Sequence, residues 1–342
     1  VSRDHRNRIL IGDALQHLQE LPDGFVDCVV TSPPYFQLRN YGSEEQIGLE
    51  SHVDEWVEHL REVLAAVARV LKPSGSAWLN VGDTHSGHTR EGAPPKSLLL
   101  GPERLVLVLL EDGWVVRNKV VWAKRNPLPS SVRDRLSCTW EVVYLLTRSP
   151  NYFFDLDAIR IPHTSRQTGR PGSATPVYPP PGHGAPDWSS EQGGGNKGLA
   201  ALRDRGLVGH ALGKNPGDVW TLSTAAFRGA HFATFPKQLV ETPVLATCPE
   251  RVCAGCGEPW RRSIERTLGH LAVRGDLVKQ CDCRGGWQPG LVLDPFLGSG
   301  TVALVAIEHQ RDWLGIELNP DFAAIAKKRI HEATAGAERQ AA

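Results

Sequence analysis

Apolar positions along the chain follow two periods, and the switch between them comes at short polar, proline or glycine breaks. Runs of strand length occupy Arg8 to Ile11, Val26 to Val30, Ser76 to Val81, Val115 to Lys124, Trp140 to Thr147, Leu291 to Asp294 and Trp313 to Ile316. Helical patterns lie between several of them, at Ala14 to Leu21, Val53 to Leu71, Leu98 to Glu111, Val302 to His309 and Pro320 to His331. The longest is the most regular: Trp56, Leu60, Val63, Val67 and Val70 recur near helical spacing, and Lys72-Pro73-Ser74-Gly75 stops it. Strands alternating with helices predict an α/β domain built on one sheet. Val115 to Lys124 and Trp140 to Thr147 read as an antiparallel pair that finishes that sheet.

In open α/β sheets ligands bind beyond the carboxyl ends of the strands, so the breaks after the strands carry the chemistry. Thr31-Ser32-Pro33-Pro34-Tyr35 follows the Val26 run. Two prolines cannot donate backbone hydrogen bonds, so the strand stops and leaves a hydroxyl, two rigid carbonyls and an aromatic ring at its end. Far along the chain, the Leu291 strand runs through Asp294 into Pro295-Phe296-Leu297-Gly298-Ser299-Gly300-Thr301. Glycines there let the backbone approach a ligand closely. The next strand ends in Glu317, 23 positions after Asp294. That is close to the offset of about 20 at which a nucleoside-binding βαβ unit places its ribose-binding carboxylate. No Gly-Lys-Ser/Thr follows the glycines, so the turn suits a nucleoside without a triphosphate.

D-P-F-x-G-S-G-T together with T-S-P-P-Y resembles the amino-group DNA methyltransferases, which use S-adenosylmethionine; the likeness runs from about Arg8 to about Ile330. The order, with the catalytic motif first and the cofactor loop last, is similar to their circularly permuted β class. The resemblance implies a Rossmann-like S-adenosylmethionine-dependent methyltransferase fold. It places Asp294, Pro295, Phe296, Gly298, Ser299, Gly300, Thr301 and Glu317 around the cofactor. It further implies that Asp13 contacts the cofactor adenine, although Asp13 can equally be a helix N-cap. Phe235 and Pro236, within His231 to Glu241, would pack beside the methionine end. Ser32 and the Pro33 carbonyl would accept hydrogen bonds from the amine of a base flipped out of duplex DNA, with Pro34 completing the motif and Tyr35 stacking on the base. Serine ahead of two prolines is associated chiefly with cytosine N4, and adenine N6 is the alternative. No Pro-Cys pair is present for carbon-5 methylation. Arg39 beside the catalytic loop, and Lys124, Arg125, Ser130, Arg133 and Arg135 in and before the proline-rich segment from Asn126, would contact the DNA. A cognate restriction endonuclease could accompany such an enzyme.

Composition changes this picture in three places. Lysine plus arginine balances aspartate plus glutamate at 38 each, yet from Arg117 to Arg170 ten basic residues face four acids, a stripe suited to phosphates. From 162 to 217, prolines and glycines such as Pro179-Pro180-Pro181 and Gly193-Gly194-Gly195 cannot build a regular core, and in the permuted order the target recognition region belongs here. Cys253-x-x-Cys256 and Cys281-x-Cys283, separated by 24 residues, read as a zinc ribbon whose four thiolates replace a core, with Cys248 as a substitute ligand. The expected domains are therefore 1–161 for the catalytic half, 162–217 for recognition, 218–247 with 288–342 for the cofactor half, and 248–287 for the zinc-ribbon-like insert. No apolar run reaches membrane-spanning length and no secretory signal is evident. The cysteine spacing fits a reducing cytoplasm, and the resemblance implies a prokaryotic or phage-encoded, DNA-associated protein. The competing class is a zinc-ribbon DNA-binding protein with an inactive methyltransferase core; the intact Asp294, Gly298, Gly300 and Glu317 set argues against it.

Overall fold

A computed structural model of the chain describes residues 5–42, 46–162, 212–224, 235–266 and 272–341. In chain order its elements begin with β1 (Arg8–Ile11), α1 (Ala14–Glu20), β2 (Val26–Thr31), α2 (Val53–Val70), β3 (Leu71–Val81) and α3 (Gly101–Glu111). They continue with β4 (Val115–Lys124), β5 (Trp140–Thr147), β6 (Val219–Leu222), α4 (Lys237–Thr247), β7 (Val252–Cys253), β8 (Arg261–Arg266) and β9 (Ala272–Val278). The last are β10 (Trp287–Gln288), β11 (Leu291–Asp294), α5 (Thr301–Glu308), β12 (Asp312–Glu317) and α6 (Pro320–Ala341).

Eight strands form one sheet in the order β1-β12-β11-β2-β3-β5-β4-β6. All neighbours pair in parallel except β5, which is antiparallel to both β3 and β4. The expected closing pair therefore does not finish the sheet. β5 inserts between β3 and β4, and β6 adds in parallel beyond β4. Four residues of alternating exposure in β6 are too short a pattern to stand out in the sequence. Helix α2 stops at Val70, but β3 begins at once: Leu71 pairs with Val26, the register shifts, and the regular ladder resumes at Ser76 opposite Cys28.

Alternate residues of one strand face opposite layers. On one face Val29, Leu79, Leu146 and Leu293 pack with Trp56 and Leu60 of α2 and Leu105 of α3. On the other, Cys28, Val30, Trp78, Leu145 and Val292 pack with Val240 of α4, Val305 of α5 and Ala326 of α6. Both faces are covered, so all six residues of β2 are buried, as in the centre of a parallel sheet.

The chain divides into two units. One comprises Val1–Ile159, Gly217–Ser263 and Asp276–Ala342 and holds the sheet. The other comprises Arg160–Pro216 and Ile264–Gly275; in it Ile161 and Lys214 exchange backbone hydrogen bonds of 3.0 and 2.9 Å. Most of the expected recognition region, residues 163–211, lies outside the described residues. Among the described residues no helix is long and apolar enough to cross a membrane.

Candidate active site

The parallel strands deliver their carboxyl ends, and β5 its start, to one edge of the sheet. That edge opens into a cavity of about 650 Å³. Gly12 and Asp13 after β1, Ser32 to Tyr35 after β2, Asn80 of β3, Lys124 of β4, Glu141 of β5, the turn after β11 and the end of β12 all line it.

At one end the glycine turn is held from several sides. Gly298 and Gly300 take positive φ of 53° and 81°, and a Cβ at Gly300 would also lie 3.1 Å from the Ala326 side chain. The Gly298 N–H donates to Glu317 Oε2 at 2.7 Å, and the Asn319 N–H donates to Oε1 at 2.9 Å. Arg329 of α6 donates to the Ser299 hydroxyl at 2.6 Å and to its carbonyl. Pro295, Phe296, Gly298, Ser299, Thr301, Glu317 and Phe235 form part of the cavity wall. Pro236, Asp294 and Gly300 do not: Pro236 caps α4, Gly300 caps α5, and Asp294 is buried. His231 to Thr234, the rest of the Phe235 motif, lie outside the described residues. Asp13 lines the cavity and also caps α1, accepting from the Gln16 N–H at 2.9 Å.

Asp294 Oδ1 accepts from the Thr31 hydroxyl at 2.7 Å and from the Phe296 N–H at 3.1 Å. Its Oδ2 is buried without a hydrogen-bond partner among the described residues. Burial raises this carboxyl from 3.8 to about 7, against the pull of those two donors. A folded-state pKa above the unfolded one favours the protonated native state. The contribution of Asp294 to stability is thus present below pH 3.8 and lost as pH rises through about 7. Urea unfolding of the ligand-free protein across this window should show a falling component that Asp294→Asn removes; equal pH slopes for both proteins would contradict it.

At the other end lies the Ser32 loop. Trp56, which is core as its spacing predicted, also donates its indole N–H to the Pro34 carbonyl at 2.9 Å. The Tyr35 hydroxyl lies 2.7 Å from Glu141 Oε2, 3.3 Å from Asn80 Oδ1 and 3.3 Å from Ser32 Oγ. Burial and the Glu141 carboxylate hold the phenol well above its ordinary pKa, so it stays protonated. Lys124 bridges to Glu141 Oε1 at 2.5 Å and lies over the Trp122 ring. Lys124, expected to contact DNA, lines this cavity. Arg39 also lines it, with Nη1 buried and unpartnered among the described residues. Arg125, Ser130, Arg133 and Arg135 are exposed on the segment joining β4 to β5.

Asn80, Glu141, Asn319 and Phe322 line the cavity without having been singled out in the sequence. Asn80 and Glu141 sit at the ends of strands whose existence was legible. What placed Glu141 here is the reversed direction of β5, as expected from its antiparallel pairing with β4, together with its insertion beside β3, which residue patterns do not state.

Away from the cavity, the sulfurs of Cys253, Cys256, Cys281 and Cys283 all lie within 4.8 Å of one another. A tetrahedral zinc with Zn–S near 2.3 Å needs sulfurs about 3.8 Å apart, so the four fit with small adjustment. The turn from Cys253 is closed by the Gly257 N–H on the Cys253 carbonyl at 2.8 Å, with Gly257 at φ 75°. Backbone N–H groups of Cys256 and Gly255 lower the Cys253 thiol to about 6, which suits a thiolate ligand. Cys248 does not join them; it is buried in the core beside α4 and α5, so it is no substitute ligand.

A family model described as DNA methylase, covering N6 and N4 methyltransferases, matches residues 26–328. The type II methyltransferase M.Cfr9I of Citrobacter freundii is 32% identical, over 93% of this chain and 86% of its own. M.XycI of Xanthomonas campestris pv. cyanopsidis is 34% identical over the same shares, 93% and 86%. The structure of the PvuII DNA methyltransferase (cytosine-N4-specific) superposes with a TM-score of 0.55 at 18% identity, covering 95% of this chain and 90% of that one, a likeness of fold. TTHA0409 of Thermus thermophilus, complexed with S-adenosyl-L-methionine, gives 0.51 at 19% identity, with 95% of each chain covered. With the family model spanning most of the chain and two relatives above 30% identity along nearly all of it, this chain belongs to the N6/N4 family of DNA methylases.

Proposed function

We propose that the chain methylates the exocyclic N4 amine of cytosine in duplex DNA, with S-adenosylmethionine as donor. The observation that carries this reading is one cavity lined both by Ser32-Pro33-Pro34-Tyr35 and by the glycine turn with Glu317. When bound, the cofactor would supply an electrophilic methyl group on sulfur. Glu317, fixed by two backbone N–H groups, would hold the ribose hydroxyls; Asp13 would meet the adenine; Phe235 suits the methionine end. Glu317→Ala should weaken cofactor binding by about 1.5–3 kcal/mol in a calorimetric titration, the range for hydrogen bonds to a charged group, and unchanged affinity would remove Glu317 from this role.

An exocyclic amine is a poor nucleophile because its lone pair is delocalised into the ring. Ser32 Oγ and the Pro33 carbonyl would accept its N–H bonds and localise that pair on nitrogen, in line with the methyl. The Pro34 carbonyl is already taken by Trp56, which favours Pro33 as the second acceptor. Tyr35 offers a ring for stacking on the flipped base. The amine can lose its proton to solvent after transfer, so no separate base is required. Serine ahead of the prolines favours cytosine N4. The test is to methylate DNA of mixed sequence, digest it and identify the nucleoside. N4-methylcytosine is expected; N6-methyladenine as sole product would replace cytosine by adenine, and 5-methylcytosine would overturn the mechanism.

The circularly permuted order is supported by the pairing of β1 with β12. These neighbours are parallel, α6 follows β12, and the Ser32 motif precedes the glycine turn in the chain. Residues 1–161 then form the catalytic half, 218–247 with 288–342 the cofactor half, 162–217 the recognition region and 248–287 a zinc-ribbon-like insert. One zinc per chain is expected by elemental analysis of protein purified without chelators, in a structural role, because four thiolates leave no open position for water. Thiol-directed chelation should lower the unfolding temperature; a chelator that abolished turnover and left the fold intact would contradict that role. The exposed basic segment between β4 and β5 would carry backbone contacts to DNA, and a cognate restriction endonuclease would share the recognition sequence.

A further inference from the structure

We infer that Glu141 is a positioning residue which, through the Tyr35 hydroxyl, holds Ser32 as a hydrogen-bond acceptor toward the target amine. This rests on the reading of Ser32 given above. A serine hydroxyl has one proton and two lone pairs and rotates freely in water. With its proton aimed at the amine, it would oppose the N–H groups it must receive.

Three residues from outside the Ser32 motif settle that orientation. Glu141 Oε2 lies 2.7 Å from the Tyr35 oxygen, and Asn80 Oδ1 lies 3.3 Å from it. The carboxylate is both nearer and charged, so it takes the single phenolic proton. The Tyr35 oxygen is then left as an acceptor, 3.3 Å from Ser32 Oγ. Ser32 donates its proton there and turns its lone pairs to the cavity.

The carboxylate itself is fixed from two sides. Lys124 Nζ holds Oε1 at 2.5 Å. Asn80 Nδ2, anchored on the Val142 carbonyl at 3.0 Å, reaches Oε2 at 3.3 Å. The ring of Tyr35 lies against Gly82, where a Cβ would come within 2.6 Å of it. Strands β3, β4 and β5 thus each contribute a side chain to the orientation of one hydroxyl after β2.

The experiment is a pair of double-mutant cycles read in kcat at saturating cofactor and DNA, with cofactor affinity measured by calorimetry. Glu141→Ala and Tyr35→Phe should each lower kcat about tenfold, the size of one hydrogen bond to a charged group, with cofactor affinity within about twofold of wild type. Neither should lower kcat further once Ser32 is alanine. Equal losses in the presence and absence of the Ser32 hydroxyl would overturn the inference. If Glu141→Ala no longer binds cofactor, Tyr35→Phe, which adds no cavity and no charge, decides by the same cycle. A wild-type protein that forms no N-methylated base would strike the proposed function itself, and would do so before any cycle is read.

Discussion

Ser32→Ala is expected to lower kcat about 10- to 100-fold while cofactor affinity stays near wild type. The fold-change corresponds to losing one hydrogen bond of about 1.5–3 kcal/mol in the transition state. Ser32 sits on the cavity wall at the end of β2, and none of the protein contacts of the glycine turn passes through it. A contact made to the amine mainly as its lone pair localises appears in the rate and not in ground-state binding. Single-turnover methylation with pre-bound DNA measures the chemical step, and calorimetry measures the cofactor. A parallel fall in both would show that the substitution disturbs the cofactor site, and an unchanged rate would remove Ser32 from the chemistry. Stacking alone would make Tyr35→Phe neutral. The hydroxyl contact to Glu141 makes it costly, so this variant separates two roles of one side chain.

The sheet was legible because its strands alternate with helices and end in residues that cannot continue a ladder. Strands at Val115–Lys124 and Trp140–Thr147 match the expected bounds, yet their place in the sheet does not. The antiparallel pairing of the two was expected and is found, but burial patterns do not say which strand lies beside the pair, and the last six residues of β5 are all buried. The Ser32 and glycine motifs were legible for a different reason: proline pairs and positive-φ glycines are local demands that sequence alone expresses. Glu141, Asn80 and Lys124 carry no such local mark. Each is an ordinary polar residue near a strand end, and only the convergence of β3, β4 and β5 on one edge brings them together. Arg329 is the same case at the glycine turn, reaching from α6 to Ser299.

Asp27→Ala is expected to destabilise the protein by about 3–5 kcal/mol, the cost of breaking a buried ion pair by removing one partner. In the sequence Asp27 is a polar interruption of an apolar strand; in the fold its side chain is 2% exposed. Oδ1 pairs with Lys72 Nζ at 2.6 Å, and Oδ2 accepts the Leu291 N–H at 2.9 Å. Truncation would leave Lys72, whose side chain is only 12% exposed, without its counter-charge and a buried N–H without an acceptor. The location sharpens the effect. Asp27 lies on the strand that leads to Ser32, Leu291 opens the strand that leads to Asp294, and Lys72 follows α2. One carboxylate therefore ties the strand before Ser32 to the strand before the glycine turn, although 264 positions separate Asp27 from Leu291. Asp27→Asn should fall between wild type and alanine, because its amide oxygen can still accept from Leu291 while the charge on Lys72 goes unmatched. Urea unfolding of the three proteins, compared at constant slope, measures this order. A loss below about 1 kcal/mol for alanine would mean that water reaches Lys72 and that the pair is a surface contact, worth little to the fold.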